Sequence, residues 1–108
     1  MHPKSNVTPC PVETTLLLIG DKWKIFILRD LFMHGTLRFS ELKKSLHGVT
    51  QKMLTQQLRE MEADGLVNRK VYPVVPPKVE YSLTKLGESL KPVIDSMWDW
   101  GLKFKEQQ

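Results

Sequence analysis

Between Thr50 and Gly65 the sequence carries Gln51, Lys52, Thr55, Gln56 and Arg59, spaced so that one side of a helix would hold all five. Leu54, Leu58 and Met61 recur at helical spacing on the other side and would fix that side to a core. Amides suit adenine, arginine suits guanine, and threonine suits a base or a phosphate. Lys43 and Lys44 precede this segment, and Arg69, Lys70 and Lys78 follow it. From Leu42 to Lys78 there are thus seven bases against three acids, Glu60, Glu62 and Asp64. The chain has 16 bases and 12 acids in all, so nine of each remain elsewhere. The net charge of +4 arises entirely in this middle third. No acid occurs from Leu42 through Arg59, whereas solvated helix faces usually mix both signs. A segregated positive excess of this kind suits a polyanion such as nucleic acid.

Catalytic chemistry has little to work with. His2, His34 and His47 are scattered, with no acid–histidine–nucleophile pattern and no CxxC or HxxxH spacing. There is no glycine-rich phosphate loop either. No enzyme activity, metal or cofactor is expected. Cys10 is the single cysteine, so a disulfide would have to join two chains or a small thiol. It lies between Pro9 and Pro11 at the start of a helix, where a thiolate would gain from the helix N-terminus and where Lys4 or His2 could add positive potential. An unreactive thiol packed near an interface is the alternative.

The elements that must position these residues follow from length and periodicity. The 108 residues fit one domain, residues 1–108, and a hydrophobic share of 41% is enough for a modest core. A first helix, 12–20, carries Leu16 to Ile19 in succession and is apolar around most of its girth. Asp21 can cap a second helix reaching His34, with Gly35 as the stop. Leu37-Arg38-Phe39 reads as an extended link. Ser40 then caps a third helix, and His47-Gly48-Val49 turns into a fourth capped by Thr50. After Gly65 the period changes to two, giving strands from Leu66 to Tyr72 and Lys78 to Leu83 around a proline-rich tip. Thr84 caps a last helix to about 106, bent between Glu88 and Pro92 because proline lacks an N–H. The result is a mainly α protein with a small β-hairpin, a winged helix-turn-helix with its helix-turn-helix at 40–65 and its wing at 66–83.

The helices at 12–20 and 84–106 expose more apolar surface than one small domain can cover. Leu16, Leu17, Ile19, Val93, Met97, Trp98 and Trp100 are therefore expected at the interface of a homodimer. Double-stranded DNA is the expected partner. The rivals are a winged-helix module for protein partners and one for RNA. A polar reading face argues against the first, and a basic face with only Tyr72 to stack on bases argues against the second. No apolar run approaches the roughly 18 residues of a membrane span, and the N-terminus lacks a signal pattern, so the cytoplasm is the expected compartment.

Several blocks in this order resemble one family. They are Cys10-Pro11-Val12-Glu13, Leu18-Ile19-Gly20 with Lys22-Trp23, Arg38-Phe39-Ser40-Glu41-Leu42, Leu54-Thr55 with Leu58-Arg59, Asp64-Gly65-Leu66-Val67 with Arg69, and Pro76 through Thr84 with Gly87. From Cys10 to about Gly101 the chain resembles the HxlR-type transcription regulators, winged-helix proteins related to the MarR regulators. Asp21 departs from the pattern, which often has a second glycine there. The resemblance implies a bacterial or archaeal repressor or activator that is dimeric and binds a roughly palindromic operator. It also implies that Cys10 stands where some such regulators sense oxidants or electrophiles.

Overall fold

The computed structural model describes residues 9–108. Helix α1 (Pro11–Ile19) begins with proline, whose missing N–H has no partner to lose in a first turn. Asp21 caps α2 (Lys22–His34) by accepting the Trp23 N–H at 2.8 Å. Strand β1 (Thr36–Arg38) leads directly into α3 (Phe39–Ser45). Ser40 is not the cap of α3. The helix starts at Phe39, and Glu41, in the third helical position, reaches back to accept the Arg38 N–H at 2.7 Å. Thr50 caps α4 (Gln51–Ala63), its hydroxyl accepting the Met53 N–H at 3.0 Å.

Strands β2 (Val67–Tyr72) and β3 (Lys78–Leu83) form the hairpin. The sheet has three strands rather than two, in the antiparallel order β1-β3-β2. The expected extended link at Leu37 is thus a strand, with Leu37 opposite Tyr81 and Arg38 opposite Glu80. Leu37 half-buries its side chain beside Tyr81, which accounts for the extra pairing. Thr84 accepts the Gly87 N–H at 3.0 Å and starts α5 (Lys85–Glu88). The expected single bent helix is broken instead, and α6 (Lys91–Glu106) begins anew. Pro92 cannot donate to the carbonyl of Glu88, so the ladder stops at Ser89 and Leu90.

Ile27, Leu28 and Leu31 of α2 form the centre of the core, meeting Leu42 of α3 and Leu46 just past its end, Leu54, Leu58 and Met61 from α4, Leu66 just before β2, and Val67 and Tyr81 of the hairpin. Each fully buried aliphatic chain contributes about 1.5–3 kcal/mol. Ile19 belongs to this core and is only 3% exposed, which corrects its expected place on a dimer interface. As the last residue of α1 it turns inward and lines a small hollow with Leu66, Leu86 and Leu90.

Two charged residues of α2 are also buried, and both pin the helix-turn-helix. Lys24 Nζ donates to Glu60 Oε1 of α4 at 2.6 Å. Asp30 accepts the Ser45 hydroxyl of α3 at 2.6 Å through one oxygen and pairs with Arg29 at 3.1 Å through the other. Buried charges persist in folded proteins when paired and hydrogen-bonded in this way. Helix α2 therefore sets the orientation of both α3 and α4.

Candidate nucleic-acid interface

The turn between α3 and α4 needs a positive φ at Gly48 (90°), a conformation that side chains disfavour. Past that turn, the helical period and the buried Leu54, Leu58 and Met61 leave one open side of α4. Gln51, Lys52, Thr55, Gln56 and Arg59 all line a shallow hollow of about 680 Å³ there, together with Glu60. The structure thus brings the five together. A second hollow of about 440 Å³ lies between α4 and the sheet, where Gln51, Thr55 and Arg59 face Phe39, Arg69 and Tyr81. The outer side of α4 accordingly has two rows. Lys52, Gln56 and Glu60 lean toward α2, and Gln51, Thr55 and Arg59 lean toward the wing.

The three wing cations are not on one surface. Arg69 pairs across the ladder with Tyr81 and so shares the face turned to α4. Lys70 pairs with Glu80, and Tyr72 with Lys78, on the opposite face. There the Tyr72 ring lies under two ammonium groups, Lys70 Nζ at 5.0 Å and Lys78 Nζ at 4.6 Å from its centre. The Tyr72 hydroxyl donates to Glu80 Oε1 at 2.8 Å, and Lys78 pairs with Glu80 Oε2 at 3.4 Å. That hydroxyl, followed by Lys78, holds the Glu80 carboxyl below the usual carboxylate range. Lys78 is therefore partly committed within the wing. Lys43, Lys44, Lys52, Arg59 and Arg69 have, among the described residues, no carboxylate at ion-pair distance. Lys43 and Lys44 are exposed in the last turn of α3 and line neither hollow.

A helix-turn-helix with this polar outer row and a basic wing matches the family model described as HxlR-like helix-turn-helix over residues 18–108. The chain belongs to that family. The HTH-type transcriptional regulator YdeP of Bacillus subtilis (strain 168) is 56% identical over 98 residues, 91% of this chain and 76% of its own length. The reduced form of the redox regulator HypR superimposes with a TM-score of 0.85 at 49% identity, covering 89% of this chain and 94% of that one. The reduced form of the regulator YodB from B. subtilis gives 0.79 at 36% identity, covering 94% and 99%. This HxlR-like protein is an HTH-type transcriptional regulator and not an enzyme.

In this HxlR-like chain Cys10 is the N-cap residue of α1, exposed, with its carbonyl accepting the Thr14 N–H at 3.0 Å. Lys4 and His2, expected near it, lie outside the described residues. Of the side chains expected at a dimer interface, Leu16, Leu17, Val93, Met97, Trp98 and Trp100 are exposed. Val12, Leu86, Leu102 and Phe104 are exposed as well. No helix among the described residues is long and apolar enough to cross a membrane.

Sequence reasoning missed Lys24, Asp30 and the double role of Glu60. A signal was present. Lys24 stands in one helical row with Ile27, Leu28 and Leu31, and Asp30 stands three residues after Ile27, so each interrupts an apolar face.

Proposed function

We propose that this regulator is a homodimer, one domain per chain over residues 1–108, that binds double-stranded DNA sequence-specifically at a roughly palindromic operator in the cytoplasm. Residues 40–65 present the reading helix, 66–83 the wing, and the helices within 12–20 and 84–106 hold the two chains together. Gln51 and Arg59 contact base edges; Lys43, Lys44, Thr50, Lys52, Thr55, Arg69, Lys70 and Lys78 position the duplex through phosphates. One observation carries the reading: Lys52, Arg59 and Arg69, which line the two hollows on the outer side of α4, have no carboxylate at ion-pair distance among the described residues. Tyr72, the aromatic side chain that could stack on an unpaired base, is already covered by Lys70 and Lys78, which favours duplex over single strands.

Affinity for a selected duplex is expected to fall steeply with salt. Replacing Arg69 by alanine should flatten the plot of log K against log salt by about one unit, and Lys78→Ala should flatten it less. Binding that did not change with salt would remove the electrostatic basis of this reading.

Cys10 makes the regulator responsive to oxidants or electrophiles. Its exposure at a helix N-terminus supports this, as does the likeness to HypR, a redox regulator by name. Mild diamide treatment should give a disulfide-linked dimer or a thiol adduct on a non-reducing gel, with altered DNA binding, and Cys10→Ser should abolish both. Unchanged binding with no band and no adduct would sink the sensor.

A further inference from the structure

Gln56 is held from behind, and its holder dictates which way the amide faces. Gln56 Nε2 donates to Glu60 Oε2 at 3.3 Å, and the other oxygen of that carboxylate takes the Lys24 ammonium at 2.6 Å. A carboxylate has no hydrogen to give, so only the NH₂ arm of the amide can meet it. The amide oxygen and the second N–H are then left toward the open side of α4, where Gln56 is exposed. Glu60 is not free to swing out. Its partner Lys24 has a side chain only 7% exposed and issues from α2, so moving the carboxylate would strand a buried ammonium.

We infer that Lys24 and Glu60 are positioning residues that make Gln56 a specificity-determining residue for adenine. This rests on the DNA-reading role proposed above for α4. Adenine offers its N6 amino group as donor and N7 as acceptor in the major groove, and an amide with one outward oxygen and one outward N–H matches both. Guanine offers two acceptors at the same edge, O6 and N7, and an amide that cannot turn meets one of them with its oxygen. The relay therefore carries a constraint from the core helix to the groove-facing row. Helical spacing of four residues between Gln56 and Glu60 makes the contact possible.

The test is selection of duplexes from a random pool, then titration of the preferred duplex and its single-base variants. The full chain is compared with Gln56→Ala, Glu60→Gln and the double variant Lys24→Met/Glu60→Gln. The unaltered protein should prefer adenine to guanine at one position per half-site by about tenfold, and Gln56→Ala should lose that preference. An amide at position 60 can donate as well as accept, so Glu60→Gln lets Gln56 turn. Adenine and guanine should then bind nearly equally at that position, with other positions and the salt slope unchanged. The double variant leaves no buried charge and should show the same relaxation with a normal unfolding transition, which separates the effect from misfolding. Retained adenine preference in both position-60 variants, or a uniform loss across all duplexes, would leave Glu60 merely structural and overturn the inference. Specific binding without any effect of Gln56→Ala would overturn it too, while leaving the DNA-binding reading intact. An unaltered protein with no base preference anywhere would overturn that reading itself, and the inference with it.

Discussion

Replacing Met97 and Trp100 by aspartate is expected to give a folded monomer whose DNA affinity is about a thousandfold lower. Neither side chain holds up the core. Met97 is 47% exposed and Trp100 68%, and no residue of α6 is fully buried. Trp100 stacks instead on Phe104 of its own helix, with ring centres 5.5 Å apart. Together with Val93 they line an open trough of about 650 Å³ along α6, a surface of apolar atoms facing water. A buried aromatic side chain covers about 150–250 Å², at about 25 cal/mol per Å². Burying several such rows from each of two chains stabilises a dimer strongly, and carboxylates within the same trough would desolvate and repel one another. A monomer keeps one reading helix and one wing. Losing the second half-site moves binding from the range of specific complexes, about 10⁻⁸ M or tighter, toward non-specific values near 10⁻⁵ M. Analytical ultracentrifugation beside a duplex titration at fixed salt measures both changes. A double-aspartate variant that sedimented as a dimer, or an unaltered protein that was monomeric and still bound tightly, would defeat the two-fold arrangement.

The features legible in the sequence are those whose cause is local. Asp21, Thr50 and Thr84 announce helices because each side chain bonds an N–H two or three residues on. The open face of α4 follows from the period of Leu54, Leu58 and Met61, and its polar residues do fall together. What escaped depends on partners distant in the chain. Strand β1 has three residues, too few for an alternation to show, and its partners lie at Glu80 to Ser82. Ile19 sits in a helix apolar on nearly every side, so periodicity cannot say which side faces in. Lys24 and Glu60 are 36 residues apart, and neither position alone suggests an ion pair. The wing is a different case. Alternation along a strand requires Arg69 and Lys70 to point to opposite faces, so grouping them by charge concealed a division that period two already implied. That division bears on the proposed DNA contacts. Arg69 lines a hollow with Gln51, Thr55 and Arg59 of α4, whereas Lys70 and Lys78 are drawn into the Tyr72–Glu80 cluster on the outer face.

Glu60→Ala and Lys24→Met are expected to break the same ion pair with very different costs to stability. The asymmetry comes from burial, since the Lys24 side chain is 7% exposed and that of Glu60 24%. Removing Glu60 leaves an ammonium in the core without its counter-charge, and breaking a buried pair from that side costs about 3 kcal/mol. For a chain of this size that is a fall in melting temperature of roughly 12 °C or more. Lys24→Met replaces the buried ammonium with an apolar chain of similar length, while the carboxylate left behind can turn toward water. Its cost should stay below about 1.5 kcal/mol. Urea unfolding followed by tryptophan fluorescence reports both, because Trp23 lies beside Lys24 in the core. The comparison also bears on how α4 is held. Equal, small costs for the two variants would mean that Lys24 reaches water, that Glu60 can leave it without penalty, and that nothing in α2 restrains the Gln56 amide. A large cost confined to Glu60→Ala is the signature of a carboxylate anchored from the core, which is what a fixed amide on the reading face requires.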